Sequence, residues 1–215
     1  MRTIAIPDIH GMYNLFKLLV KKLKLQPDDH LIFLGDLIDR GPHSQQVVNE
    51  VMRLAETYKC TFLMGNHELM CLNYYGNSHP SHADLWFSNG GIATIKSYKN
   101  GVTPEHLKFF KSMGLYHVKD NILYTHAGLN PYYSIEKQKN NIDLWDREMW
   151  DVIQMDGNSR NIDWEMKVVV GHTPLGKPYK DNKVVGLDLG GFNTGRLAAY
   201  IAETNKIVEV KRNEI

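Results

Sequence analysis

A chain of 215 residues, 43% hydrophobic and 23% charged, has enough apolar content for one folded domain over 1–215 with a sizeable core, and no second domain is needed. Its 25 Lys and Arg against 24 Asp and Glu leave a formal net charge of +1 with no long block of one sign, which speaks against dedicated nucleic-acid binding. Cys60 and Cys71 form neither a C-x-x-C pair nor a framework, so they read as buried thiols, and no apolar run approaches the roughly 18 residues of a membrane span. A cytoplasmic monomer with no membrane partner is the expectation.

Residues 3–6 are predicted as a strand. A helix capped by Asn14 follows, with Leu15, Phe16, Leu18, Leu19 and Leu23 spaced at the helical period. A second strand at 31–34, a helix capped by Ser44 that turns Val47, Val48, Val51, Met52 and Leu54 inward, and a third strand at 61–64 complete a βαβαβ pattern. Residues 69–120 read as mostly helical and irregular, punctuated by the turn signals Asn77-Ser78, His79-Pro80 and Asn89-Gly90-Gly91. Strands return at 122–125, 167–170, 184–188, 197–201 and 207–210, the last two joined by a hairpin at Glu203-Thr204-Asn205-Lys206. No internal repeat or linker interrupts this order.

Five of the apolar runs lead directly into chemistry. Asp8-Ile9-His10-Gly11, Gly35-Asp36-Leu37-Ile38-Asp39-Arg40-Gly41, Gly65-Asn66-His67-Glu68, Thr125-His126-Ala127-Gly128 and Gly171-His172-Thr173-Pro174 each follow one. They deliver Asp, His, Asp, Asn, His and His to one edge, and ligands bind open α/β sheets outside the carboxyl ends of the strands. Asp8 and His10, two apart, project the same way from extended backbone. The Asp36 carboxylate has two oxygens able to bridge two cations. Oxygen and nitrogen donors without sulfur suit Mn²⁺, Zn²⁺, iron or Ni²⁺, and a metal pair about 3.5–4 Å apart clamps the attacking and leaving oxygens in phosphoester cleavage.

The five segments in this order resemble the signature D-x-H, G-D-x-x-D-R-G, G-N-H-E, H-A-G, G-H-T of the phosphoprotein phosphatase family of calcineurin-like metallophosphoesterases, over about residues 4–195. The chain is similar in particular to small bacterial and phage members of the lambda-phosphatase type, and symmetrical diadenosine tetraphosphatases share much of the signature. The resemblance implies an α/β fold, an αββα sandwich of two mixed sheets flanked by helices. It implies a first metal held by Asp8, His10 and Asp36, and a second held by Asp36, Asn66, His126 and His172, with Mn²⁺ the expected pair. A water acidified by both ions would attack phosphorus, with His67 as general acid, Asp39 orienting it, and Arg40 and Arg147 gripping the phosphoryl oxygens.

Other residues carry weaker readings. Glu68 reads as a support around the centre or a helix start. Arg147, in Trp145-Asp146-Arg147-Glu148, could also be a helix-surface residue paired with Asp146 or Glu148. Trp86-Phe87-Ser88-Asn89-Gly90-Gly91 is either a wall of the cleft or core aromatics followed by a turn, and Asp188 reads as a structural carboxylate beside the site. His30, His43, His79, His82, His106 and His117 read as surface or packing residues. Pro174 stands where many phosphodiesterases of the superfamily carry the second His of G-H-x-H, which argues against a nuclease branch. The leading expectation is a serine/threonine phosphatase acting on phosphorylated protein or peptide. The alternative is a symmetrical dinucleoside polyphosphate hydrolase, or an RNA nucleotide-cap hydrolase. The short chain, with little room for an insertion around a nucleotide, modestly favours the first. A catalytically silent scaffold would have lost a ligand or the acid, and none is lost.

Overall fold

The computed structural model describes residues 1–76 and 79–215, so the Asn77-Ser78 turn signal lies outside the described residues. Two five-stranded mixed sheets form its centre. In the first, β1 (Thr3–Ile6), β2 (His30–Phe33) and β3 (Lys59–Phe62) run parallel, and β9 (Arg196–Ile201) and β10 (Lys206–Lys211) add antiparallel on the other side of β1. In the second, β5 (Ile122–Thr125), β6 (Lys167–Val170) and β8 (Val184–Gly186) run parallel, edged by antiparallel β4 (Tyr116–Lys119) and β7 (Tyr179–Lys180).

Alternation along the strands explains the layering. Ile4, Ile6, Leu31 and Phe33 face outward into a cluster built with α1 (Tyr13–Leu23) and α2 (Ser44–Ala55), whereas Ala5, Ile32 and Leu34 face inward. There they meet Tyr124, Val169 and Val185 of the second sheet. Leu123, Val168 and Val170 point to the far side and pack with Ile135 of α7 (Ile135–Gln138) and Met149 and Ile153 of α8 (Glu148–Asp156). Buried on both faces, these strands read as continuous apolar runs, as parallel strands do. The result is the helix–sheet–sheet–helix sandwich expected from the resemblance.

Three details differ from the sequence reading. Neither helix is capped as expected: α1 starts after Met12 with no side-chain cap, and Ser44 is already the first helical residue of α2, its hydroxyl accepting from Asp39 N (3.1 Å). Strand β3 ends two residues early, because Leu63, still donating to Phe33 O (2.9 Å), also bridges Gly114, and Met64 N donates to the Gly114 carbonyl (2.7 Å). The short edge strands β4 and β7 were not anticipated. Between β3 and β4 lie α3 (Asn66–Gly76), α4 (Pro80–Ser88), α5 (Gly91–Tyr98) and α6 (Pro104–Lys111). A short α9 (Gly191–Thr194) precedes β9. No described helix is long and apolar enough to cross a membrane. Cys60 is half-buried and Cys71 buried, and they are not bonded.

Buried at the start of β2, His30 bonds Thr61 Oγ1 through Nε2 (2.8 Å). Burial, with help from Lys59, His117 and Lys119, pushes its imidazole down to about 4 from an ordinary 6.5. The ring is therefore neutral in the fold but charged in the unfolded chain between those values, so its contribution is complete above about pH 6.5 and is lost as pH falls toward 4. His30→Gln, which keeps a donor for Thr61, should flatten that part of the urea-unfolding stability profile. An unchanged acid slope would show that His30 does not titrate on unfolding.

Candidate metal centre

The two parallel triplets end at the same rim, and eight candidate site residues lie one to five positions beyond a strand. Asp8 and His10 follow β1, Asp36 follows β2, Asn66 and His67 follow β3, His126 follows β5, His172 follows β6 and Asp188 follows β8. All are buried, none more than 5% exposed. The sheets are laced together here: Ile9 N and His10 N donate to Asp36 O (3.0 and 2.9 Å), and His126 Nδ1 bonds Leu34 O across the sandwich (2.8 Å).

Asp36 occupies the middle. Its Oδ2 lies 3.5 Å from His10 Nε2 and 3.8 Å from His67 Nε2, and its Oδ1 lies 3.6 Å from His126 Nε2. Asn66 Oδ1 contacts both His126 Nε2 (2.9 Å) and His172 Nδ1 (3.1 Å). Asp8 accepts from His172 N through both oxygens (3.0 and 2.9 Å). His10 is oriented by Ile38 O at Nδ1 (2.9 Å), while its Nε2 accepts from Arg40 (2.9 Å). Six expected ligands thus converge, in two groups that share Asp36. Arg40 is at the site, its guanidinium also 4.9 Å over the Phe192 ring. Arg147 is exposed at the start of α8, near enough that its charge is felt by His172 and Asp188.

Backbone approach is tight enough to require glycine. A Cβ on Gly65 would lie 2.2 Å from Asp36 Oδ1 and 2.7 Å from Glu68 Oε2, and one on Gly171 would lie 2.1 Å from Asp8 Oδ2. Strain concentrates here as well: His10, Asp36, Asp39, Arg40 and His172 all have positive φ (46°, 52°, 71°, 64° and 62°). Each such residue costs on the order of 1 kcal/mol, tolerated only where surroundings over-determine it. Glu68 does part of that work, its carboxylate accepting from Asp36 N, Leu37 N and Gly65 N (2.8, 2.8 and 3.2 Å).

Burial disfavours either sign of charge without a partner. It raises the Asp8 and Asp36 carboxyls well above the usual range, repulsion from Asp188 adding at Asp8 and from Asp8 and Glu68 at Asp36. Burial likewise lifts Glu68 to about 7 and Asp188 to about 6 against the backbone N–H groups that oppose it. It lowers His10 and His126 well below 6.5, and His172, with Arg147 adding to the effect, to about 4. His172 Nε2, His67 Nε2 and Asp188 Oδ2 are buried with no hydrogen-bond partner. Neutral imidazoles, anionic oxygens in need of compensation and orphaned lone pairs make a donor set that divalent cations fit. Ligating atoms of His10, Asp36 and His67, and of Asp36, His126 and His172, lie within 4.8 Å of one another. Geometry alone does not set His67 apart from His10 and His126, which are likewise fixed through Nδ1, but its fixing partner is a carboxylate and not a backbone carbonyl.

That partner is Asp39, whose Oδ2 lies 2.6 Å from His67 Nδ1, so Nε2 is the nitrogen that faces the site. Burial pushes Asp39 up to about 7 and His67 down to about 3. Opposing the first shift, Thr94 Oγ1 donates to Asp39 Oδ1 (2.6 Å) and Trp86 Nε1 to Oδ2 (2.8 Å). Trp86 is therefore the core aromatic of the two readings and not a cleft wall, and its indole N–H adds a hold on Asp39 that the sequence did not suggest. The Gly90 that follows abuts Arg40, Arg40 N donating to its carbonyl (3.3 Å). Thr94 was not anticipated, since nothing in its own segment marks it.

Paired carboxylate and imidazole clusters at the joint end of a two-sheet sandwich, beside an oriented His–Asp dyad, define a metal-dependent hydrolase of phosphoric esters. The calcineurin-like phosphoesterase profile matches residues 1–197, and the chain belongs to that family. A relative from Anoxybacillus flavithermus, 29% identical over 90% of this chain and 87% of its own, is named asymmetrical bis(5'-nucleosyl)-tetraphosphatase PrpE. A solved structure described as a putative diadenosine tetraphosphatase superposes with a TM-score of 0.69 at 20% identity, over 98% of this chain and 93% of that one. A mutant cold-active protein tyrosine phosphatase gives 0.68 at 18%, over 98% and 77%. Both show the shared fold.

Gly65→Ala tests whether the close approach sustains the centre. The added methyl must displace Asp36 or Glu68, so Mn²⁺ affinity measured by calorimetry should fall at least tenfold, and Tm by several degrees for the roughly 1–3 kcal/mol of overpacking. Affinity equal to the parent's would release Gly65 from that role.

Proposed function

We propose that this chain is a single catalytic domain that hydrolyses dinucleoside polyphosphates, cutting a phosphoanhydride bond asymmetrically. The observation that carries this reading is the match, over nine-tenths of the chain, to relatives named as asymmetrical bis(5'-nucleosyl)-tetraphosphatases. It reverses the order expected from the sequence, where phosphoprotein came first, and replaces a symmetrical cut by an asymmetrical one. Hydrolysis of phosphoprotein is the second reading, favoured by the likeness of the fold to a protein tyrosine phosphatase.

Asp8, His10 and Asp36 would hold one divalent cation and Asp36, Asn66, His126 and His172 the other, with Mn²⁺ the leading candidate. When bound, such a pair supplies Lewis acidity and a water acidified toward neutral pH. His10 would exchange its hydrogen bond from Arg40 for a cation, freeing that guanidinium for a phosphoryl oxygen. Arg147, whose charge is felt at His172 and Asp188, would add a second guanidinium to that grip. His67, once protonated, would give its Nε2 proton to the departing oxygen and return to the neutral ring, its imidazolium stabilised through Nδ1 by Asp39, which Thr94 and Trp86 hold in place. Asp8 and Asp188 would keep that side of the centre anionic.

Products decide between the readings. With diadenosine tetraphosphate and Mn²⁺, chromatography should give AMP and ATP in equal amounts, and kcat/KM should exceed that for phosphoserine and phosphotyrosine peptides. Two equivalents of ADP would overturn the asymmetrical cut, and preference for a phosphopeptide would install the second reading. His67→Asn adds a test of mechanism. It should lower kcat on a phosphoserine peptide by about 10²- to 10⁴-fold, and much less on diadenosine tetraphosphate or p-nitrophenyl phosphate, whose leaving groups depart without a proton. Equal losses on all three, with metal content retained, would make His67 a positioning residue.

A further inference from the structure

An indole stands at the rim of the centre without a part in the chemistry above. Trp145 is 38% exposed, and its ring lies 6.0 Å from that of His172 at 88°. Its backbone is locked: Trp145 N donates to Asp143 Oδ1 (2.9 Å), Asp146 N to Asp143 O (3.3 Å) and Glu148 N to Asp146 Oδ1 (3.0 Å). Asp146 O accepts from Gly128 N (3.1 Å), two residues past His126, and the neighbouring Leu144 is anchored in the core. The loop after Gly128, tied to α8 through Asn130 Nδ2 and Glu148, carries Tyr132 and Tyr133, both exposed. A scattered exposed aromatic needs no explanation, but this ring sits on an anchored backbone beside a candidate metal ligand, two residues from Arg147.

We propose that Trp145 is a nucleobase-stacking platform, which seats the base of a nucleotide whose phosphate lies at the metal centre. The inference rests on the dinucleoside polyphosphate reading for its physiological ligand. A flat, polarisable ring with one end in solvent suits a base of any identity, because every base presents a π face. Because Trp145 is two residues from Arg147 and beside His172, a nucleoside one sugar away from a phosphate held there comes within reach of the indole. Such stacking contributes roughly ten- to a hundredfold in affinity. A phosphopeptide would draw no comparable gain from a single fixed indole.

Calorimetric titration of the Mn²⁺-loaded protein with AMP, and separately with inorganic phosphate, isolates the base. The parent should bind AMP at least tenfold more tightly than phosphate, Trp145→Ala should bring the two to near parity, and Trp145→Phe should restore most of the difference. Equal affinities in the parent, or an AMP preference that survives in Trp145→Ala, would overturn the platform. So would a loss of phosphoserine-peptide affinity in Trp145→Ala as large as the loss for AMP, which would make the ring a peptide contact. Absence of diadenosine tetraphosphate turnover by the parent would instead defeat the functional reading, while the AMP comparison would still judge the platform by itself.

Discussion

Concentrating ionisable groups out of water at one point is the constraint on which this structure depends. Asp8, Asp36, Asp39, Glu68 and Asp188 lie with four imidazoles behind almost no solvent-accessible surface. Effective desolvation penalties run to several kcal/mol per buried charge, more than any one local contact returns. Two sheets, apolar on both faces, are what make the burial sustainable. The sandwich supplies hydrophobic stabilisation far from the rim, and the rim holds groups that would dissolve a smaller core.

The rim is also part of the scaffold. Glu68 ties the turn after β2, through Asp36 N and Leu37 N, to the turn after β3, through Gly65 N, while Asp8 receives His172 N from the opposite sheet and Asp188 receives Gly190 N (2.7 Å). Carboxylates that would repel one another in isolation are therefore each anchored by backbone N–H dipoles. Positional precision of this kind is what phosphoryl transfer demands, since its catalysis is largely placement and electrostatics.

Local chemistry was readable in the sequence, and distant partnership was not. Strands β1, β5 and β6 were placed with the bounds they have, because uninterrupted Val, Ile and Leu runs end at polar motifs. The motif residues converge as expected because short strand-end turns leave each side chain little freedom. Edge strands β4 and β7 escaped because Tyr116-His117-Val118-Lys119 and Tyr179-Lys180 are half-exposed and carry no clear alternation. The support of Asp39 escaped in part because it comes from Trp86 and Thr94, 47 and 55 residues away, through two helices whose packing no periodicity encodes. Ser44 was read as a cap by residue type, yet its hydroxyl serves the turn at Asp39 instead.

Strand order has a consequence for how the protein is made. Synthesis runs from the N-terminus, so Asp8, His10, Asp36, Asn66 and His67 leave the ribosome well before His126 and His172. Through that interval the nascent chain carries a carboxylate-rich fragment whose β1 edge waits for β9, more than 190 positions downstream. The first ligand group, Asp8, His10 and Asp36, lies wholly at the end of the first sheet, whereas the second lacks His126 and His172 until the second sheet docks. The two positions are thus unequal in assembly: one can be formed by the first sheet alone, and filling the second requires that both sheets have met.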